Sequence, residues 1–330
     1  MVDRHRRTVR CDGDRKRGVH PGLSGCPVRV TGRRVLWFNA AMKSSFKTVA
    51  LIGKYRSPEV AEPVLKLAHF LEERKVTVLI DALTAKHLGT IKQRVLTLEE
   101  LGREADLAIV IGGDGTMLNI ARVLAPYDVA LVGVNQGRLG FLTDISVDTM
   151  FDTIGDVLDG KFVTEPRMLL AGEGRRGKET LCNVLAFNEV VVSKGIKGNM
   201  LDLVVRIDGQ FIYSQRGDGL IVATPTGSTA YALSSGGPIV HPALSVMALV
   251  PVSPHTLSNR PIVISSDCTV EIMVHGADDA HVHFDSHTRV ELREGDCVVV
   301  RRYDHAISLL HPVGHSYYGM LREKLNWNRE

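Results

Sequence analysis

A short glycine-rich segment, GGDGT at residues 112–116, places a single carboxylate between glycines. The apolar run 107–111 before it predicts a buried strand and residues 117–124 after it predict a helix, so the segment joins a strand to a helix. Glycines let a ligand approach the backbone, and free N–H groups at a helix start attract phosphate. Because a carboxylate repels phosphate, Asp114 fits a group that takes a proton from an attacking hydroxyl or helps to hold a cation. A turn in which Asp114 only caps the helix is the alternative.

A second polar segment, SQRGDGLIVATPTGSTAYALSSGGPIVHP at residues 214–242, carries more Ser, Thr and Gly than packing requires. Small hydroxyl groups and open backbone let a polar ligand lie against the chain, although ordinary loop polarity is an alternative. Upstream, Asn188 and Glu189 stand at the mouth of a predicted strand. An amide reads a base edge or a sugar oxygen, and a carboxylate accepts from two ribose hydroxyls. Alone, that pair is equally compatible with a structural turn.

Together and in this order, GGDGT at 112–116, NE at 188–189 and TPTGSTAY at 224–231, followed by SSGGP, resemble the three signature motifs of the NAD kinases. LGFLTD at 139–144 and RRYDHAISLLHP at 301–312 also resemble the bacterial members. The resemblance spans roughly residues 47–327. GGDGT is shared with diacylglycerol and sphingosine kinases and, as a close variant, with phosphofructokinases, whereas the Ser/Thr-rich motif is far more specific.

The resemblance implies an α/β plus β fold: a Rossmann-like N-terminal α/β domain and a C-terminal β-sandwich domain, with the last segment returning to the first domain. It implies a kinase that phosphorylates the 2′-hydroxyl of the adenosine ribose of NAD to give NADP, with ATP as donor, Mg²⁺ as the divalent cation, and a homodimer or homotetramer. A lipid kinase that shares GGDGT is one alternative, but it has no use for NE and TPTGSTAY. A non-catalytic NADP(H)-binding sensor is another, and the intact Asp114 speaks against it.

The resemblance also implies the residues that act on the nucleotide. Asp114 is expected to be the general base for the 2′-hydroxyl, an effect of about 10²–10⁴-fold in rate because a ribose hydroxyl is too weak an acid to ionise near neutral pH. Asn199 and His287 stand where relatives commonly have His and Gln. Arg216 and Asp218 are expected to line the cleft, and residues 229–234 to contact the nucleotide partly from a neighbouring subunit. The residues expected to contact nucleotide are Asp114, Gly115, Asn188, Glu189, Asn199, Arg216, Asp218, Thr229, Ala230, Tyr231, Ala232, Leu233, Ser234 and His287.

The segment HVHFDSH is the one place where spacing suggests a metal site. It puts His281, His283 and Asp285 on one face of a predicted strand, which could bind a transition metal. An exposed or partly buried strand face is the favoured interpretation, so we expect no structural metal. Mg²⁺ would arrive with ATP and needs no dedicated cage.

Composition bounds the remaining possibilities. The chain has 330 residues, 44% of them hydrophobic and 23% charged, which is typical of a globular protein with room for two domains. No run of about 18 apolar residues is present, so we expect no membrane partner. Five scattered cysteines without a C-x-x-C pair favour a reducing cytoplasm.

The first 41 residues differ from the rest in charge. They hold ten Lys or Arg against three Asp, and this surplus of +7, set against +3 for the whole chain, leaves −4 for the remainder. A transit peptide, a nucleic-acid arm and a disordered tail are all compatible with this composition, and no nucleic-acid partner is expected. We favour an over-extended reading frame with Met42 as the natural start.

Hydrophobic patterning predicts four segments: the extension 1–41, an α/β domain with the GGDGT loop at 42–145, a β-sandwich NAD-binding domain at 146–310, and a C-terminal helix at 311–330 that packs back on the first domain. Residues 58–74 form a predicted helix with an apolar stripe, and residues 144–158 a second one. Strands that alternate with helices imply a parallel sheet with ligands at its carboxyl ends. Many short strands with regular turns then imply an antiparallel sandwich.

A chain that begins at Met42 should match the full chain in melting temperature and in enzymatic activity, because residues 1–41 lack the apolar periodicity needed to pack. Thermal unfolding and steady-state kinetics of the two proteins, measured side by side, check this. A melting temperature lower by several degrees, which signals roughly 1–3 kcal/mol of lost stability, would show that the extension docks on the rest of the protein.

Overall fold

Runs of four to six apolar residues, interrupted by helix-forming segments, give way after residue 167 to short alternating strands, and the fold follows this change. The structure is a computed structural model, and it describes residues 46–327 except 56, 138–139, 197–198, 257 and 277–278. The predictions made for residues 1–41 lie outside the described residues. The strands are β1 Thr48–Gly53, β2 Thr77–Asp81, β3 Arg94–Leu96, β4 Leu107–Gly112, β5 Ala130–Asn135, β6 Ile145–Ser146, β7 Phe162–Arg167, β8 Leu170–Arg176, β9 Glu179–Ala186, β10 Glu189–Lys194, β11 Leu201–Ile207, β12 Gln210–Gly217, β13 Gly219–Ala223, β14 Val246–Val252, β15 Ile262–Ser265, β16 Val270–His275, β17 Ala280–Phe284, β18 Thr288–Leu292, β19 Cys297–Arg302 and β20 Ile307–Pro312.

Most of the α-helices lie in the first half of the chain, and the last helix comes near the end of the described residues. The α-helices are α1 Ala61–Glu73, α2 Ala82–Ala85, α3 Leu98–Glu104, α4 Asp114–Leu124, α5 Met150–Leu158, α6 Tyr231–Ser234 and α7 Tyr317–Lys324, and short 3₁₀ turns are Pro58–Val60, Ala125–Tyr127, Val147–Thr149 and Gly227–Thr229. No helix among the described residues is long and apolar enough to cross a bilayer.

The first sheet is parallel at its centre, with strand order β3-β2-β1-β4-β5-β20-β7 and β6 beside β5. Alternate residues of each strand face opposite helix layers. Val49 and Leu51 of β1 pack in one core with α1 and α5, whereas Ala50 and Ile52 pack in another with α4. The apolar stripe predicted for residues 58–74 is buried along α1, as Val60, Val64, Leu67, Ala68 and Leu71. The Rossmann-like α/β prediction is confirmed.

Two antiparallel six-stranded sheets form the second half, with orders β15-β14-β13-β10-β17-β18 and β12-β11-β16-β19-β8-β9. One apolar core lies between these two sandwich sheets. It includes Val190, Val222 and Phe284 from the sheet that contains β10, and Leu203 and Val298 from the sheet that contains β11. The predicted β-sandwich is therefore confirmed.

The sheets divide differently from the predicted segments. Strands β7 and β20 lie in the first sheet, although the predicted segment 146–310 contains all of β7 and the first four residues of β20. β20 pairs antiparallel with β7 and parallel with β5, which confirms that the chain returns to the first sheet near its end. Apolar alternation alone does not reveal which sheet a strand joins, since both sheets bury the same residue types. That residues 145 and 310 are the boundaries between separate domains stays a prediction.

Two helix starts also differ from the sequence prediction. α4 begins at Asp114 rather than after Thr116, and α5 begins at Met150 rather than at Asp144, because β6 and a 3₁₀ turn intervene. The second difference matters, because it frees Asp144 to turn inward towards β20.

Candidate active site

The carboxylate of Asp114 is held by the loop that follows β5. Its Oδ2 accepts a hydrogen bond from the Phe141 backbone N–H at 2.8 Å. Its Oδ1 accepts from the Leu142 N–H at 3.0 Å and from the Thr143 hydroxyl at 3.2 Å. The helix N-cap is Gly113, with no side-chain cap bond, so the alternative in which Asp114 only caps the helix does not describe its contacts. The side chain is fixed from outside its own helix.

That loop, residues 140–143, is shaped to receive the carboxylate. A Cβ added at Gly140 would overlap both Asp114 Oδ1 and the Thr143 hydroxyl, so any other residue there would have to displace these two side chains. Asn135, at the end of β5, donates from Nδ2 to the Thr143 hydroxyl at 3.2 Å and accepts from the Gly137 N–H at 2.6 Å. Asn135 thus holds the loop in the position in which it contacts Asp114.

A cleft of about 450 Å³ opens at the start of α4, at the carboxyl ends of β1 and β4. This is the edge of the sheet where parallel strands place their ligands. The cleft combines one cation, a glycine-rich backbone and small polar groups, a set that suits phosphate. Its lining residues are Lys54, Tyr55, Gly113, Gly115, Thr116, Asn119 and His287. Of the residues predicted from the sequence, Gly115 and His287 therefore share one cleft.

Asp285 joins this cleft to the sandwich. It follows β17 with a left-handed φ of 48°, and only 7% of the residue is exposed. Its carboxylate accepts from three consecutive backbone N–H groups, those of Phe187 at 3.0 Å, Asn188 at 2.8 Å and Glu189 at 3.1 Å. The Arg122 guanidinium of α4 lies 3.6 Å from its Oδ2. The NE motif is therefore fastened to the GGDGT helix through one buried aspartate.

Glu189 is 8% exposed, and its Oε2 has no hydrogen-bond partner among the residues that the structure describes. Burial, with the nearby Asp285 carboxylate adding to it, raises the pKa of Glu189 to about 8. A buried acceptor without a donor is costly, and hydroxyl groups of a bound sugar would supply donors. This arrangement is typical of a residue set up for a ligand rather than for stability.

The TPTGSTAY segment packs directly on the NE motif. Glu189 pairs with Ala223 across β10 and β13, so the two strands end side by side. The Thr224 N–H donates to the Asn188 carbonyl at 2.8 Å, and its hydroxyl donates to the Phe187 carbonyl at 2.7 Å. A side chain at Gly227 would overlap the Asn188 carbonyl, so glycine is required there too. Motifs 36 positions apart in sequence thus form one surface.

The run 229–234 continues this surface. Thr229 borders a small void beside the Asp114-holding loop, together with Phe141, Arg167 and Thr226. Ala230 is half-buried, and in α6 Ala232 is buried, Leu233 is half-buried, and Tyr231 and Ser234 are exposed.

Three predicted residues do not reach the cleft within one chain. Arg216 is an exposed residue of β12 with its Nε 3.9 Å from Asp202, and Asp218 forms an ion pair with Lys194 at 2.9 Å. Both precede β13, whereas Thr224 follows it, so they lie one strand length away, roughly 16 Å at about 3.3 Å per residue. Asn199, exposed just before β11, lies at the same end of the sandwich, since β11 begins opposite Gly217. Their assignment to nucleotide binding stays a prediction.

The structure separates the residues of the HVHFDSH segment. His281 and His283 lie on β17, but the left-handed turn at Asp285 sends its carboxylate to the backbone of residues 187–189. Elsewhere, Asp144, His311 and His315 bring a ligand atom each within 4.8 Å of one another, the one such group of three found in the described part of the chain. Both imidazoles instead pair with Asp144 Oδ2 at 2.8 Å, and His311 also meets a second carboxylate.

Sequence reasoning missed Asp285, Arg122, Lys54 and Tyr55. Asp285 was weighed only as a metal ligand, and its partners lie 96–98 positions away, a relation that a single sequence does not encode. The turn residues Asp-Ser that follow the strand were the available signal. Arg122 was hidden because basic residues in the last turn of a helix are common.

Comparisons with known proteins agree with this geometry. Models of the ATP-NAD kinase N-terminal and C-terminal domains match residues 49–162 and 187–311. The NAD kinase of Nitrosomonas europaea is 57% identical over 283 residues, covering 86% of this chain and 96% of that protein. The NAD kinase of Aromatoleum aromaticum is 50% identical over 294 residues, covering 89% and 98%.

Solved structures share the fold. Yeast NADH kinase in complex with NADH has a TM-score of 0.79 at 22% identity and covers 86% of this chain and 89% of its own. An NAD kinase from Archaeoglobus fulgidus in complex with ATP has a TM-score of 0.67 at 26% identity and covers 84% and 98%. An α/β sheet with a phosphate-binding glycine segment, joined to a β-sandwich, defines a class of nucleotide-binding proteins. The chain belongs to the NAD kinase family.

Replacement of Glu189 by Gln should stabilise the ligand-free protein at high pH. The folded-state pKa of about 8 lies above the usual 4.5, so stability is fully present below pH 4.5 and is lost as pH rises towards 8. At about 1.4 kcal/mol per pKa unit, the loss amounts to a few kcal/mol. We expect Glu189→Gln to melt at least about 5 °C higher than the original protein at pH 8.5 and close to it at pH 5.

Thermal unfolding at the two pH values measures this difference. Glu179→Gln, at an exposed glutamate of β9, is the matched control and should show no such pH-dependent gain. An equal melting temperature for Glu189→Gln and the original protein at pH 8.5 would mean that Glu189 carries no desolvation cost.

Proposed function

We propose that this chain transfers the γ-phosphoryl group of ATP to the 2′-hydroxyl of the adenosine ribose of NAD and releases NADP and ADP. The observation that carries the proposal is the fixed carboxylate of Asp114 at the edge of a phosphate-compatible cleft, with the NE and TPTGSTAY surface joined to the same helix through Asp285. Relatives at 50–57% identity are NAD kinases, and the Archaeoglobus structure holds ATP.

The hydrogen bonds of Asp114 indicate which oxygen acts. Within the described part of the chain, Oδ1 accepts two donors, whereas Oδ2 accepts only the Phe141 N–H. A carboxylate oxygen offers two acceptor positions, so Oδ2 keeps one for the ribose hydroxyl. The hydroxyl proton passes to Oδ2 while the ribose oxygen forms a bond to the γ-phosphorus and the bond to the β-phosphate oxygen breaks. ADP leaves with that oxygen.

Positive and partly positive groups around the cleft suit the transferred phosphoryl group. Lys54 lines the cleft, and the N–H groups at the start of α4 can donate hydrogen bonds to a bound phosphate. Positioning and charge neutralisation account for most of the catalysis of phosphoryl transfer.

Mg²⁺ belongs to this proposal as a companion of ATP. It takes one or two carboxylates and otherwise phosphate and water oxygens. Thr116 and Asn119 line the cleft, and Asp114 adjoins it in sequence, a set of residues that fits an ion delivered on phosphates rather than one held in a cage. When bound, Mg²⁺ would neutralise the charge that develops on the phosphate oxygens.

Asn188 and Glu189 are proposed to hold the ribose and base groups of NAD, with the run 229–234 beside them. Arg216, Asp218 and Asn199 are proposed to serve a nucleotide bound to a neighbouring subunit, since they lie a strand length from the cleft of their own chain. A homodimer or homotetramer follows from that proposal. We also propose a cytoplasmic location, based on the scattered cysteines.

Incubation with NAD, ATP and Mg²⁺, followed by chromatographic detection of NADP, tests the function. Diacylglycerol or sphingosine in place of NAD tests the lipid-kinase alternative, and NADP(H) binding without turnover would identify a sensor. NADP formation supports the proposal, and its absence with active relatives run in parallel contradicts it.

Asp114→Asn should lower kcat by about 10² or more, the loss expected when a general base is removed. The dissociation constant of NAD should stay within a few-fold, because the reacting hydroxyl is the one group of NAD that Asp114 is proposed to contact. Glu189→Ala should instead raise KM for NAD, since its carboxylate is proposed to bind ribose away from the reacting oxygen. Near-normal kcat for Asp114→Asn would remove Asp114 from its role.

Gly140→Ala should reduce kcat by roughly tenfold or more, since an added methyl group displaces the Asp114 carboxylate and small misplacements are costly in rate. Gly137→Ala, in the same loop, is the matched control, because the nearest atom to its added Cβ lies 4.0 Å away. Steady-state kinetics of both variants measure the effect. Equal activity of the two variants would show that catalysis tolerates displacement of the Asp114 carboxylate from the loop 140–143.

A further inference from the structure

Five polar side chains form a continuous chain of contacts beneath the candidate active site. His311 of β20 pairs through Nδ1 with Asp144 at 2.8 Å and through Nε2 with Glu165 at 3.2 Å. Glu165 binds Arg167 Nη2 at 3.1 Å, and Arg167 Nη1 donates to the Thr226 hydroxyl at 3.1 Å. His311, Glu165 and Arg167 are 1%, 5% and 3% exposed. So deeply buried a polar chain needs a reason other than solubility.

The charges in this chain balance. His311 Nδ1 is within hydrogen-bond distance of Asp144 and its Nε2 lies 3.2 Å from Glu165 Oε2, and although burial opposes it, these two carboxylates raise the pKa of the ring. Hydrogen bonds to His311 and charge from Arg167 hold the pKa of Glu165 at about 2 despite its burial. The hydrogen bonds from both imidazoles hold the pKa of Asp144 at about 2. His311 and Arg167 therefore face the two carboxylates of Asp144 and Glu165.

The two ends of the chain reach the two halves of the site. Asp144 directly follows Thr143, whose hydroxyl contacts Asp114, and it closes the loop that seats the Asp114 carboxylate. At the other end, Thr226 belongs to the segment that packs on the NE motif. Between them, β7 and β20 are neighbouring strands of the first sheet, a rigid support for the middle of the chain.

We propose that His311 is a positioning residue: by bridging Asp144 to Glu165 it holds the Asp114 loop and the Thr226 segment in one fixed arrangement. This inference rests on the proposed function for its kinetic consequence but not for its structural one. His311 touches neither nucleotide nor Asp114, and it acts through the two loops.

His315 provides a matched comparison. Its Nδ1 also pairs with Asp144 Oδ2 at 2.8 Å, and its ring stacks on His311 with 3.9 Å between centroids. Among the described residues, neither Nε2 has a hydrogen-bond partner, but only the Nε2 of His311 lies within ion-pair distance of Glu165, at 3.2 Å. His311→Gln and His315→Gln therefore remove the same kind of contact to Asp144, but only the first cuts the chain.

Hydrogen–deuterium exchange of the full-length variants, read by mass spectrometry, tests the proposal without reference to activity. His311→Gln should make amides in residues 140–143 and 224–229 exchange on the order of tenfold faster, since local opening there becomes easier. It should lower kcat by about tenfold or more, with a smaller change in KM for NAD. His315→Gln should stay within about threefold of the original protein in each measurement.

Glu165→Gln is the second variant, and it keeps the proposal testable if His311→Gln fails to fold. Among the described residues, Glu165 pairs with His311 and Arg167 and not with residues 140–143, and Glu165→Gln leaves the His311–Asp144 contact in place, so faster exchange at residues 140–143 supports the bridge through Glu165. Unchanged exchange at both loops in a folded variant, or equal effects of His311→Gln and His315→Gln, would overturn the proposal. If the original protein makes no NADP, the proposed function fails, while the exchange data still decide this inference.

Discussion

The contact between the Asp114 carboxylate and the loop 140–143 is the constraint on which the rest of the site depends. A carboxylate at the start of a helix and beside a phosphate site would turn towards any available donor. Two backbone N–H groups and one hydroxyl hold it instead on the side of β5. Among the contacts with described residues, Oδ2 therefore keeps one acceptor position. Because the carboxylate lies against residue 140, a side chain added at Gly140 would displace it.

The two architectures of the chain meet around that contact because buried polar groups cross between them. Asp285, at a strand end of the sandwich, accepts from three N–H groups and meets Arg122 of the GGDGT helix. On the other side, β20 returns from the sandwich to the first sheet and carries His311 to Asp144. Apolar packing makes each half stable, whereas these ionic contacts fix how the loops face one another.

Glu189 shows the cost of such a site. Its carboxylate is buried beside another carboxylate, which raises its pKa to about 8 and opposes folding at neutral pH. Natural proteins retain residues of this kind where ligand binding needs them.

Much of this could be read from the sequence, and the limits have physical causes. The strand–GGDGT–helix junction, the stripe of α1 and the sandwich follow from local periodicity, and they are confirmed. The membership of β7 and β20 in the first sheet depends on pairing across more than 130 positions, which alternation does not specify. Asp285 was predicted only as a possible metal ligand for the same reason, since its partners at residues 187–189 are distant in sequence. Arg216 and Asp218 carry the expected residue types, yet strand length separates them from the cleft.

The most direct test of the account is a crystal structure of this chain with NAD and a non-hydrolysable ATP analogue. We predict that the 2′-oxygen of the adenosine ribose lies about 2.6–3.2 Å from Asp114 Oδ2, while the Phe141 and Leu142 N–H groups still hold the carboxylate. A complex in which the 3′-hydroxyl takes that place, or in which Asp114 has left the loop, would contradict the account.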